Sequence, residues 1–111
     1  KANAIPTYTA TLTQSGTNAP VATVLVNSLG GTIVWSRGSA GSYEATLAGA
    51  FPTDARTVIV LDPNRVIGIY ANEAVLVEAF RTTSDYITVT CSDSGDGWLN
   101  NWFIEIRVYP A

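Results

Sequence analysis

Apolar and polar residues alternate with a period of two along much of this chain. In Thr7–Thr13 the odd positions are all threonine and the even ones are Tyr8, Ala10 and Leu12. Successive side chains of a strand point to opposite faces, so the pattern predicts a half-buried β-strand. Ser42–Ala48 repeats it, with Tyr43, Ala45 and Leu47 on one face and Glu44 and Thr46 on the other. Asp85–Cys91 sets Ile87, Val89 and Cys91 inward against Asp85, Tyr86, Thr88 and Thr90. Near the end of the chain, Trp102, Ile104, Ile106 and Val108 alternate with Phe103, Glu105, Arg107 and Tyr109. The outer face of that last strand mixes aromatics with an acid and a base.

Five further segments are more continuously apolar: Ala22–Asn27, Thr32–Ser36, Thr57–Leu61, Val66–Ala71 and Ala74–Phe80. Such runs suit strands buried on both sides, or strands whose outer face a partner covers. Turn chemistry separates them. Gly30-Gly31 can supply the positive φ of a tight hairpin, Asp62-Pro63-Asn64-Arg65 reads as a type I turn, Ala71-Asn72-Glu73 as a short connection and Ser92–Gly97 as a polar loop. No segment carries helical periodicity. Short strands with turns at this spacing predict an all-β fold, an antiparallel β-sandwich or jelly-roll-like domain of eight or nine short strands. The whole chain, 1–111, reads as a single β domain, with 1–6 as an extended N-terminal arm. Tyr8-Thr9-Ala10-Thr11-Leu12 and Tyr43-Glu44-Ala45-Thr46-Leu47 share a Y-x-A-T-L pattern. Two copies are too few for a solenoid, and two strands facing one core converge on such residues without being a repeat.

Composition narrows the function. Hydrophobic residues make up 47% and charged residues 14% of the 111, against a usual charged share of about 25%, which excludes a disordered tail. A net charge of −3, with lysine at position 1 alone, is the wrong surface for nucleic acid, whose affinity comes from clustered Lys and Arg. The chain has no histidine, which removes the commonest general base, the Ser–His and Cys–His nucleophile pairs and the commonest neutral metal ligand. One cysteine, Cys91, can make no internal disulfide or zinc cluster, and its inward position marks a structural thiol. Apolar runs reach only four or five residues, as in Val58–Leu61 and Ala74–Val77, far short of the roughly 20 that span a bilayer. No cofactor, nucleic acid or membrane is expected. Lys1–Pro6 lacks the apolar stretch of a signal peptide, and a chain without methionine is expected to begin at a processed or truncated start.

Three places could carry chemistry. Ser92-Asp93-Ser94-Gly95-Asp96-Gly97 is acidic and glycine-rich, but calcium takes roughly six to eight oxygens and the EF-hand spacing is not met, so a solvated turn is the expectation. Nine acids leave a glycosidase pair open by counting alone, yet Asp54, Asp62, Asp93 and Asp96 fall in predicted turns and Glu44, Glu78 and Glu105 within strands. The third place is Asp96–Phe103, where Trp98, Trp102 and Phe103 stand beside Asn100 and Asn101. Flat rings and side-chain amides together suit a sugar platform, and Trp is equally a core or subunit-contact residue.

The stretch Tyr8–Leu25 resembles the start of small stand-alone proteins of tailed bacteriophages and prophages. The resemblance continues through Leu29–Arg37, Gly41-Ser42-Tyr43, Ala48–Pro52 and Ile104–Pro110, and is weakest over Val66–Asp85. It implies a virion-associated, structural setting and carries no catalytic or binding residues with it. The leading expectation is therefore a non-enzymatic structural protein on the outer surface of a phage particle, such as a capsid decoration or a head or tail fibre component. Its partners would be itself, as a homotrimer by analogy with viral appendages, and other virion proteins. Trp98, Trp102, Phe103 and Tyr109 are the expected contact residues. The alternative is a carbohydrate-binding module, with a host-surface glycan as its partner, using Trp98, Asn100, Asn101, Trp102 and Phe103. The bland reading of the same residues is that they are core and loop packing.

Overall fold

Nine strands are seen in a computed structural model that describes residues 5–61, 67–70, 73–91, 96–97 and 99–110, with 67–70 and 73–76 described through their backbone. In chain order they are β1 (Thr7–Thr13), β2 (Val21–Asn27), β3 (Val34–Ser39), β4 (Ser42–Thr46), β5 (Thr57–Leu61), β6 (Ile67–Tyr70), β7 (Glu73–Arg81), β8 (Tyr86–Cys91) and β9 (Trp102–Val108). A single 3-10 turn, Asp54–Arg56, leads into β5, and no α-helix occurs among the described residues. The strands form a β-sandwich of two antiparallel sheets, ordered β2-β1-β9-β5 and β3-β4-β8-β7-β6.

Alternation places the core. On β1, burial switches residue by residue, with Tyr8, Ala10 and Leu12 inside and the threonines outside. On β9, Trp102, Ile104, Ile106 and Val108 are buried and face Tyr43, Ala45, Ile87, Val89 and Cys91 of the other sheet within one cluster. Fully burying each large aliphatic side chain contributes roughly 1.5–3 kcal/mol. The two Y-x-A-T-L strands are β1 and β4, one in each sheet, and both tyrosines are buried with their hydroxyls bonded. Their likeness is thus that of two strands lining one core from opposite sides.

Two features depart from the expectation. The Gly30-Gly31 pair does not close a hairpin, because β2 and β3 belong to different sheets. Gly30 does adopt the left-handed region at φ 96°, and at Gly31 an added Cβ would lie 2.8 Å from a Leu47 methyl; the two glycines let the chain turn tightly while crossing between sheets. The apolar run at β2 is also not buried on both sides: most of that strand is exposed. The predicted turn at 62–65 lies outside the described residues.

Candidate functional site

Two surfaces stand out: the outer side of the four-stranded sheet with its free edge, and the loop end beside it. On the outer side, register aligns Val26, Thr9, Glu105 and Val60 in one row across β2, β1, β9 and β5. Neighbouring rows hold Thr23, Thr11 and Phe103, then Thr7, Arg107 and Val58. Among the described residues the only charges here are Glu105 and Arg107. Their ion pair spans 2.5 Å, and the Glu105 carboxylate holds the Arg107 guanidinium more firmly protonated than usual. The charges cancel locally, leaving a neutral face of threonine and valine flanked by the exposed Val58 and Val60.

β2 forms the edge of that face. Val24 pairs with Ala10, so both point to the inner side, yet Ala10 is 0% and Val24 49% exposed. The difference comes from how far the facing sheet reaches. Trp35 of β3 donates its indole N–H to the Tyr8 hydroxyl at 3.1 Å, which sets β3 over β1. Among the described residues β2 has a substantial neighbour in β1 alone. The strand therefore overhangs the sandwich. On its outer side Val21 is 69% exposed, and Leu25, an extra residue bulged between the Thr9 and Ala10 pairings, is 59% exposed. No charged residue occurs anywhere in 2–36, so this edge lacks the lysine or inward charge that usually discourages pairing with other chains.

The loop end is built on two polar side chains. Asp96 accepts from Arg37 Nη2 at 2.9 Å, Arg37 Nε at 3.2 Å, the Tyr43 hydroxyl at 2.6 Å and the Gly41 backbone N–H at 3.1 Å. These bonds, Arg37 first, hold its carboxyl far below the usual carboxylate range. Burial, aided by the bond to Asp96, pushes the Tyr43 hydroxyl well above the ordinary tyrosine value. Gln14 is the second anchor: buried, it donates through Nε2 to the carbonyls of Gly16 and Asn18 at 2.9 Å each and accepts the Gly97 N–H at 2.7 Å. Together they tie 96–97 to the β1–β2 loop and to the β3–β4 hairpin.

This arrangement disposes the residues singled out from sequence. Trp102 is 5% exposed, a core residue on the inner face of β9. Phe103 and Tyr109 sit on the outward side, Phe103 half-buried and Tyr109 exposed. Asn101 adopts φ 56°, a left-handed conformation that Asn tolerates, and is fixed to Thr13: its N–H donates to Thr13 Oγ1 at 3.1 Å, and that hydroxyl donates to Asn101 Oδ1 at 3.3 Å. Asn100 is exposed beside it. Trp98 and positions 92–95 lie outside the described residues. The described members are thus split between core, outer face and loop rather than gathered on one platform.

Sequence reasoning missed Arg37, Tyr43 and Gln14 as anchors and read Asp96 only as part of a turn. One signal was available: in a chain with so few charges, each described arginine has a dedicated partner. Arg81 donates to the Phe51 carbonyl at 2.6 Å, and Arg56 reaches the Tyr109 carbonyl at 3.3 Å. Among the described residues no three His, Cys, Asp or Glu side chains come together as a metal site. In comparisons with known proteins, no family model, no curated protein and no solved structure matches the chain.

Proposed function

We propose that this protein is a non-enzymatic structural component that works by self-association and by attachment to a larger particle. The observation that carries this reading is the overhanging, uncharged and largely exposed apolar strand β2 at the rim of a neutral Thr/Val face. A monomer leaves that surface in water, whereas subunits packed against it remove its apolar area. The resemblance of Tyr8–Leu25 and Ile104–Pro110 to small proteins of tailed bacteriophages gives the particle its identity in this proposal: a virion, with the chain as a capsid decoration or a head or tail fibre component on its outer surface. Closed symmetry is the expected form of assembly, since it covers the same patch on every subunit. Phe103 and Tyr109, on the outward side of β9, are the aromatic contacts available to neighbours or to other virion proteins.

The carbohydrate reading has less support, because Trp102 lies in the core and the Asn101 amide is engaged by Thr13. Light scattering behind size exclusion, run from high concentration downward, is expected to show an oligomer of defined size. Mass spectrometry of particles from the source is expected to find the chain. A protein that stays monomeric at every concentration and is absent from particles overturns the proposal, and glycan binding by that monomer, lost in Trp98→Ala, would establish the alternative.

A further inference from the structure

We infer that the occupant of the β2 edge is a second copy of this chain, paired antiparallel strand to strand about a two-fold axis so that two four-stranded sheets become one of eight. This deepens the self-association reading and rests on it. Three observations choose the partner and the geometry. First, the edge strands are not equivalent. β5, at the other side of the same sheet, leans against β7 of the facing sheet. β3 has a register shift between Arg37 and Ser39 with Arg37 committed to Asp96, and β6, the far edge of the five-stranded sheet, is only four residues long. β2 keeps an open edge and exposed side chains on both faces over seven residues, with one bulge, at Leu25. Second, a two-fold axis normal to the sheet sets β2 against β2 in the antiparallel sense that hairpins use. Such pairing brings each residue of the strand near a residue of the same strand, which like charges would oppose; 2–36 contains none. Third, the overhang explains why both faces are apolar. Once the sheet continues into a second sandwich, Val24 lies on the floor between two β3 strands and Val21 and Val26 extend a neutral outer face across the join.

The size of the contact sets its strength. A standard interface of about 800 Å² per partner is roughly an eighth of the 6096 Å² accessible surface. A single seven-residue edge covers less than that, so dimerisation belongs to the concentration-dependent class, and copies held close on a shared surface would pair at low bulk concentration. Two-fold pairing also makes the oligomer a dimer, or an assembly of dimers, in place of the trimer suggested by viral appendages.

The test is light scattering over a dilution series on the wild type and three variants. Leu25→Lys and Val21→Lys both introduce a charge at exposed positions of β2, so the fold survives, which melting curves will check. Val60→Lys places the same charge on exposed β5. The expected result is a wild-type dimer whose midpoint moves to more than about tenfold higher concentration in both β2 variants, with Val60→Lys unchanged, and with amide exchange across 21–27 slowing as wild-type concentration rises. A trimer, or an oligomer that ignores both β2 variants or is lost in Val60→Lys, overturns the edge pairing while leaving self-association standing. A wild type that is monomeric throughout overturns both.

Discussion

β1 and β2 are adjacent, antiparallel and of equal length, yet they behave as opposites. β1 spends every second position on threonine and buries its remaining side chains almost completely. β2 is richer in branched aliphatics and buries almost none of them. Hydrophobic content alone therefore does not locate the core of this protein. Coverage does: β3 lies over β1 and stops there, so the inner face of β1 is dry while the same face of β2, one strand further out, meets water. An apolar strand beyond the reach of the facing sheet is one that its own fold leaves uncovered.

The sharpest way to break that comparison is to cut a leucine from each strand. Leu12 is fully buried beneath the sandwich, and Leu12→Ala is expected to cost about 2–5 kcal/mol through lost burial and the cavity left behind. Urea unfolding at low protein concentration measures it. A cost under about 1 kcal/mol would mean that the sheets do not close over β1 as described.

A second comparison lies in the two tyrosines of the Y-x-A-T-L strands. Both are buried, but Tyr43 donates to the Asp96 carboxylate, whereas Tyr8 accepts from a neutral indole. Hydrogen bonds to charged groups are the stronger kind, so Tyr43→Phe is expected to cost about 1.5–3 kcal/mol and Tyr8→Phe about 0.5–1.5 kcal/mol. Equal costs would show that the carboxylate adds nothing. Proton linkage gives the same clamp a pH signature. Because the Asp96 carboxyl is held below its ordinary value, its stabilisation is present at neutral pH and is lost as pH falls from the ordinary aspartate range, about 4, toward the lower folded value. Tyr43 is shifted upward, so its share persists below the ordinary tyrosine value, about 10, and is lost as pH rises beyond it. Thermal melts of Asp96→Asn are therefore expected to lose less with acidification than those of the wild type. Parallel acid limbs in the two proteins would count against the clamp.

How legible this was depended on the kind of information each feature carries. β1, β4, β8 and β9 were readable to within a residue or two, because a strand with one wet and one dry face writes its period into the chain. The same alternation aligns Trp102 with Ile104, Ile106 and Val108, yet its ring was expected at a contact surface, and the structure puts it in the core instead. The run over 22–27 announced a strand but not its surroundings, since coverage is a property of where another sheet ends. Gly30-Gly31 announced a sharp turn, but turn chemistry does not say whether the chain rejoins its own sheet or crosses to the other. The Arg37–Asp96 pair had no local signal at all, its members being joined only by the meeting of the β3–β4 hairpin with the loop before β9. What hinted at it was scarcity: Arg37 ends the uncharged stretch 2–36, and an isolated charge in such a chain has reason to be held.

The smallest expected effect is the most discriminating. Leu25→Ala removes as much side chain as Leu12→Ala, but from a bulged residue that is 59% exposed. In the dilute monomer the change falls among surface substitutions, within about 0.5 kcal/mol. At concentrations where the dimer forms, the same methyl groups are covered by the partner, so the variant should lower the melting temperature of the concentrated protein while leaving that of the dilute protein unchanged. One substitution thus separates the two reasons a strand can be apolar. A cost in the monomer would place Leu25 in the fold's own core; no cost at either concentration would mean that nothing in solution covers β2. A cost that appears only with concentration is the signature of a strand whose hydrophobic residues belong to the assembly rather than to the fold.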